Sequence, residues 1–181
     1  METRVVPDHL DGRQWMLAQA KKYPALLRKA TTKTLYSKVQ EFTNILGVKM
    51  VARPMYVTAP LYRGLECGDG WRPAVERLFA KLDAIGWITV EQVKEKFGSL
   101  RVYFSVRTEG LVGFTEEEEE AFYADICSRA EAAVAEAVRE CDNTCESCGA
   151  TENVLLRGNV WLTTQCDACA IKCNSGGDTD D

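Results

Sequence analysis

The apolar positions of this chain change period along its length. Val75, Leu78, Phe79, Leu82 and Ile85 recur at steps of three and four, the stripe of a helix with one face in a core. Pro73 suits the first turn of that helix, where its missing N–H costs nothing, and Gly86 suits its end. Then the period drops to two. Leu100, Val102, Phe104 and Val106 alternate with Arg101, Tyr103 and Ser105, the pattern of a half-buried strand. Between these segments, WITVEQVKEKFGS fits neither period cleanly. Thr89 with Gln92 imitates a capping box, and Val90, Val93 and Phe97 are spaced for a helix, which is the alternative. The β-rich start at Trp87 to Val90 predicts a hairpin turning at Phe97-Gly98-Ser99. Val90 and Val93 are out of phase for one strand face, so the hairpin needs a bulge between them.

Upstream, residues 9–30 read as a helix capped by Asp8 or Asp11 and broken or restarted at Pro24. Leu35, Val39, Phe42 and Ile45 predict a second helix ending at Gly47. VKMVA and MYVTA, split by Pro54, read as short extended pieces. ECGDGWRP, from 66 to 73, reads as a turn leading into the central helix. Downstream, Thr115 opens a long helix to about Glu140. Glu118 completes its capping box, and the Glu116–Glu120 run lies where the helix dipole favours anions. Phe122, Ile126, Ala130, Ala133 and Ala137 form its stripe, widened by Tyr123, Cys127, Val134 and Val138. The expected class is α+β: helices with a central β-hairpin or small antiparallel sheet and a C-terminal zinc ribbon. The expected divisions are a basic helical region (1–64), a central helix, hairpin and long acidic helix (65–140), a metal module (141–174) and a disordered acidic tail (175–181).

Composition narrows the classes. At 181 residues and 46% hydrophobic, the chain can bury a core. It has no apolar run near the roughly eighteen residues of a membrane helix, and its first residues lack a signal-peptide core. A cytosolic setting without membrane partners is therefore expected, where eight cysteines read as metal ligands and buried thiols rather than disulfides. The net charge of −5 is unevenly spread. Residues 1–64 hold eleven Lys/Arg against four Asp/Glu, and residues 115–140 hold two against nine. The simplest reading is that basic and acidic portions face each other in the fold.

The densest chemistry is Cys145-x-x-Cys148 and Cys166-x-x-Cys169, separated by seventeen residues. That is the spacing of a zinc ribbon or a treble-clef-like knuckle, and four thiolates enclose a structural Zn²⁺ with no position open for substrate. Gly149 stands where a knuckle needs positive φ so that backbone N–H groups reach sulfur. VLLRGNVWLTT reads as two strands around Arg157-Gly158-Asn159. Cys141 and Cys173 flank the set and are read as thiols that bind nothing, although a two-metal or Fe–S arrangement uses the same ligand type. Cys67 and Cys127 read as small buried hydrophobes. Trp161 is the one aromatic of the module that could stack on a base, but it reads first as a ribbon-core or domain-docking residue, and with only Arg157 and Lys172 as cations the module is a poor phosphate binder.

Little else suggests a reaction. The single histidine, His9, has no partner placed by sequence. GDGW, from 68 to 71, lacks the Lys-Ser/Thr of a phosphate loop. A zinc-deaminase signature is absent. The expected role is non-enzymatic binding of another macromolecule, with a protein as the first choice of partner. Lys94, Lys96 and Arg101, with Tyr103 beside them, form a candidate surface for an acidic group; ion pairing with Glu91 and Glu95 across the hairpin is the plainer reading. Lys21, Lys22, Arg28 and Lys29, interleaved with Trp15, Tyr23 and Tyr36, are candidate nucleic-acid contacts, the alternative function. An enzyme of unknown type comes third.

QVKEKFGSLRVYF (92–104), CESCGA (145–150) and TTQCDACA (163–170), in that order, resemble a set of small uncharacterised bacterial and phage proteins. These carry QVKEKFG-x-LR-x-Y and a closing Cys-x-x-Cys-Gly…Cys-x-x-Cys-Ala module; CGDGW (67–71) resembles the opening of their first shared helix. The resemblance covers roughly 65–172 and implies a prokaryotic or phage source, a bacterial host cytoplasm and a metal-bound C-terminal knuckle. It transfers no activity. By analogy, small inhibitors or adaptors of host machinery are the expected kind of role.

Overall fold

The structure is a computed structural model that describes residues 11–27, 65–107 and 113–175, with the backbone of four short strands between 33 and 57. Helix α1 (Gly12–Lys22) starts at Asp11, whose carboxylate accepts from the Gln14 N–H at 2.7 Å. Trp15, Met16, Tyr23, Leu26 and Leu27 are buried. Helix α2 (Arg72–Ile85) follows a single 3-10 turn at Asp69–Trp71 and stops at Gly86, whose φ of 73° ends the helix. Trp15 and Tyr23 meet Phe79 of α2 at centroid distances of 6.3 and 6.4 Å.

The expected hairpin is present. Strand β5 (Ile88–Lys96) pairs antiparallel with β6 (Ser99–Val106), and the register slips between Val90 and Gln92. The two-residue turn puts Phe97 and Gly98 at φ 57° and 74°, the mirror-image turn that matches strand twist. The bulge at Glu91 lets Val90 and Val93 both face the core, fully buried. Helix α3 (Glu116–Asp142) carries the Thr115–Glu118 capping box and buries Ile126, Ala130, Ala133, Ala137 and Cys141. α2 and α3 pack side by side, with α3 beneath β6 and α2 touching β5. Lys81–Glu136 (2.6 Å) and Arg77–Glu140 join the helices outside that core.

Two divisions of the chain differ from expectation. The span around Leu35, Val39, Phe42 and Ile45 is not one helix. β2 (Gln40–Thr43) pairs with β3 (Lys49–Ala52), opposing Phe42 to Met50, while β1 (Lys33–Thr34) pairs with β4 (Tyr56–Val57). A three-turn helix is marginal alone, and the β-prone segment at 49–52 supplies a ladder that a local period does not reveal. The extended pieces around Pro54 are as expected. At the other end, β7 (Val154–Arg157) and β8 (Thr163–Cys166) form the expected second hairpin, and helix α4 (Asp167–Ser175) then occupies residues assigned to the module's end and to the tail. Residues 176–181 and His9 lie outside the described residues.

Candidate metal centre

The segment after α3 makes a tight loop. Cys145 N–H donates to the Ala150 carbonyl at 2.7 Å, and Gly149 N–H donates to the Cys145 carbonyl at 2.8 Å. Gly149 has φ 77°, as the knuckle requires. The second pair is carried differently: Cys166 ends β8 and Cys169 lies in the first turn of α4. That is nearer the treble-clef alternative than a ribbon with two knuckles. The four sulfurs lie within 4.8 Å of one another, with Cys148 and Cys166 at 3.7 Å. A tetrahedral site with metal–sulfur bonds of about 2.3 Å has edges of about 3.8 Å. The donor set therefore fits a metal ion such as zinc.

The four thiols are not alike: hydrogen bonding with Cys148 pushes the Cys169 thiol up to about 12, whereas the surroundings of Cys145 favour thiolate. Burial alone pushes the Cys145 thiol upward, but backbone N–H groups of Cys166, Cys148 and Ser147 outweigh it and hold the thiol at about 6. Such N–H contacts to sulfur are the outer support of a four-thiolate centre. Cys145 and Cys166 are buried, whereas Cys148 is exposed. Cys141 lies in the apolar core and its thiol is pushed up to about 12, chiefly by burial. Cys173 is exposed, and neither flanking cysteine belongs to the sulfur cluster. Cys67 and Cys127 are half-buried, and burial pushes the Cys67 thiol up.

The knuckle is built into the α+β core. Gly68 N–H donates to the Glu146 carboxylate and Gly70 N–H to the Glu146 carbonyl, both at 2.8 Å. Trp71, fully buried, donates its indole N–H to the Thr144 carbonyl at 2.8 Å. Any Cβ on Gly70 would overlap the Cys145 carbonyl and the Gly149 amide. The tip of the first hairpin meets the module too: Thr164 donates its hydroxyl to the Gly98 carbonyl at 2.5 Å. CGDGW is thus the seat of the metal loop as well as the start of α2, a role that the run of two glycines before Trp71 hinted at and sequence reasoning missed.

Other predicted sites divide. Lys94, Lys96, Arg101 and Tyr103 do share the outer face of the first hairpin. The register sets Lys94 directly opposite Arg101, so like charges face each other, and Lys94 lies 5.0 Å from the Tyr103 ring centre. Glu95 accepts from the Gly98 N–H and Glu91 from the Ser105 hydroxyl. Lys21 and Lys22 are exposed at the end of α1, but Lys22 pairs with Glu76 at 2.6 Å. Trp15 and Tyr23, proposed to interleave with these lysines, are core residues. Arg28 and Lys29 lie outside the described residues.

Trp161 departs from expectation. It is 78% exposed and its neighbour Val160 is 95% exposed. β7 and β8 have only four residues each, too short a hairpin to build a core that could receive the indole. With Leu162, these residues and Glu95, Lys96 and Phe97 line a cleft of about 260 Å³. A larger cleft of about 440 Å³ lies beside Cys148, Arg72 and Arg77. Both arginines there are paired, with Asp69 and Glu140. Among the described residues, no helix is long and apolar enough to cross a membrane. The fold and site define a small α+β protein with a C-terminal four-cysteine centre, and no family model, curated protein or solved structure matches the chain.

Proposed function

We propose that this is a non-catalytic, zinc-stapled interaction protein, an adaptor or inhibitor, whose partner is another protein. The observation that carries the reading is the apolar tip of the second hairpin: Trp161 and Val160, with Phe97 of the first, present large hydrophobic surface around a cleft. Leu155, Leu156 and Ile171 of the same module are also more than half exposed. Apolar patches of this kind mark protein contact sites on soluble domains, and aromatic anchors dominate binding energy. A closed four-thiolate centre supports such a tip without offering a position to substrate. The acidic module disfavours nucleic acid there, and burial takes Trp15 and Tyr23, two of the three candidate stacking groups, from the basic N-terminal alternative; Tyr36 lies outside the described residues.

Two measurements test this. Elemental analysis after purification without chelator should find about one zinc per chain; less than half an equivalent overturns the metal assignment. A photo-crosslinking residue at Val160 should capture one discrete protein in the native host, and Trp161→Asp should abolish that adduct. Adducts with nucleic acid alone, or a protein adduct indifferent to Trp161→Asp, would overturn the reading.

A further inference from the structure

The two edges of the first hairpin are treated differently. Along β5, Glu66 N–H donates to the Val93 carbonyl at 3.1 Å, Glu95 N–H donates to the Glu66 carbonyl at 2.8 Å, and Val90 N–H donates to the Leu26 carbonyl at 3.0 Å. That edge is covered. Along β6 the closing pair Lys96–Ser99 and the alternate pairs Lys94–Arg101 and Gln92–Tyr103 use the inward-directed main-chain groups. Beyond the bulge, which lies wholly on β5, Arg107 N–H donates to the Trp87 carbonyl and keeps the same phase. The main-chain groups of Leu100, Val102, Phe104 and Val106 therefore point away from β5. Among the described residues, no hydrogen bond reaches them.

An edge of eight residues with no strand partner among the described residues is a template for another strand. Its side chains say which strand. On the inner face, Val102, Phe104 and Val106 are only half-buried, although α3 lies beneath them, with Phe122 equally half-buried. On the outer face stand Arg101 and Tyr103, with Lys94 and Lys96 on the neighbouring strand. Glu91, at the bulge, is held by Ser105 at 2.7 Å near the far end. A second copy of this chain would bring Arg101 to the same face as another Arg101. Charge complementarity selects the opposite sign.

We propose that β6 accepts an extended segment of the partner protein whose residues alternate between acidic and apolar, as an added strand. The acidic side chains lie beside Arg101 and Lys94. The apolar ones close over Val102, Phe104 and Val106. The proposal rests on the reading that the partner is a protein, and names the chemistry of the segment it offers.

The test uses the full zinc-loaded chain, ¹⁵N-labelled, and a capped Glu/Val alternating peptide matching the eight residues of β6. Amide exchange at Leu100, Val102, Phe104 and Val106 should slow at least about tenfold, while Ser99, Arg101 and Tyr103 change little. Arg101→Glu combined with Lys94→Glu should transfer the preference to a Lys/Val peptide. A Glu/Val peptide N-methylated at alternate residues along the pairing edge should not bind, a control that needs no protein variant. No slowing at millimolar peptide overturns the proposal. So does equal slowing with the Lys/Val peptide or with oligothymidylate, or slowing that rises with protein concentration alone. If the Val160 crosslink persists while the peptide fails, strand addition fails and the protein-partner reading stands. If the crosslink is lost as well, the reading beneath it fails.

Discussion

The hairpins β5–β6 and β7–β8 are built from the same motif and held by different forces. β5–β6 lays one apolar face on α2 and α3, burying Ile88, Val90, Val93 and Leu100 completely or nearly so. β7–β8 has half the length and leaves Leu155 and Leu156 exposed by 60% and 57%. An isolated two-stranded hairpin is marginal in water. The first escapes that limit by burying apolar area; the second has four thiols that a metal can join. One hairpin therefore answers to cavities and the other to ligands, and perturbations of each should stay local until they reach the junction at Gly70.

The largest expected effect is on the second hairpin. Stripping the metal with a chelator, or Cys145→Ser, removes a binding free energy of about 10 kcal/mol or more that is also folding free energy. Amides of β7, β8 and the 145–150 loop should exchange as in an unfolded chain, while those of α2 and α3 stay protected. Uniform loss of protection would mean that the module and core are a single cooperative unit. Next comes Gly70→Ala, whose Cβ meets backbone on both sides. A cost of about 3 kcal/mol is expected in thermal melting, because neither the Cys145 carbonyl nor the Gly149 amide can swing aside; a neutral melt would sink this picture of the junction. Leu100→Ala should cost about 2–4 kcal/mol through its cavity while zinc stoichiometry is unchanged. Loss of metal in that variant would erase the contrast between the hairpins.

The smallest effect belongs to Lys22 and Glu76. The hydrogen bond that Lys22 donates to the Glu76 carboxylate raises the Lys22 pKa above 10.5. A raised lysine contributes stability fully below its unfolded value of 10.5, and loses it as pH rises through the higher folded value. Both side chains are about a third exposed, so Glu76→Gln should cost no more than ~0.5 kcal/mol at neutral pH. The difference between variant and wild type should vanish in strong alkali; a difference that grows there would contradict the pairing.

Several features were legible because they are local. The stripe of α2, the capping box at Thr115 and the alternation of β6 each repeat within a few residues, and propensity and period agree. The Val90–Val93 phase slip announced a bulge because a strand has no other way to turn both toward one core. The segment 35–47 misled because its apolar positions satisfy a helical period, while its strand partner lies beyond the window that period inspects. Trp161 misled because a tryptophan normally finds a core, and a metal module of this length has none to offer.

By itself the sequence picked out the four cysteines whose sulfurs the fold brings together, since two pairs at knuckle spacing can join in few ways, and it determined which helices and which hairpin the central core contains. It left open what those thiols are fastened to. Only the tertiary structure placed the Gly68–Gly70 turn against Glu146 and Gly149, covered the edge of β5 with Glu66 and Leu26, and, among the described residues, gave the edge of β6 no partner. Those are contacts between backbone groups far apart in the chain. Main-chain N–H and C=O groups are the same in every residue but proline, so no pattern of side chains records which of them will meet.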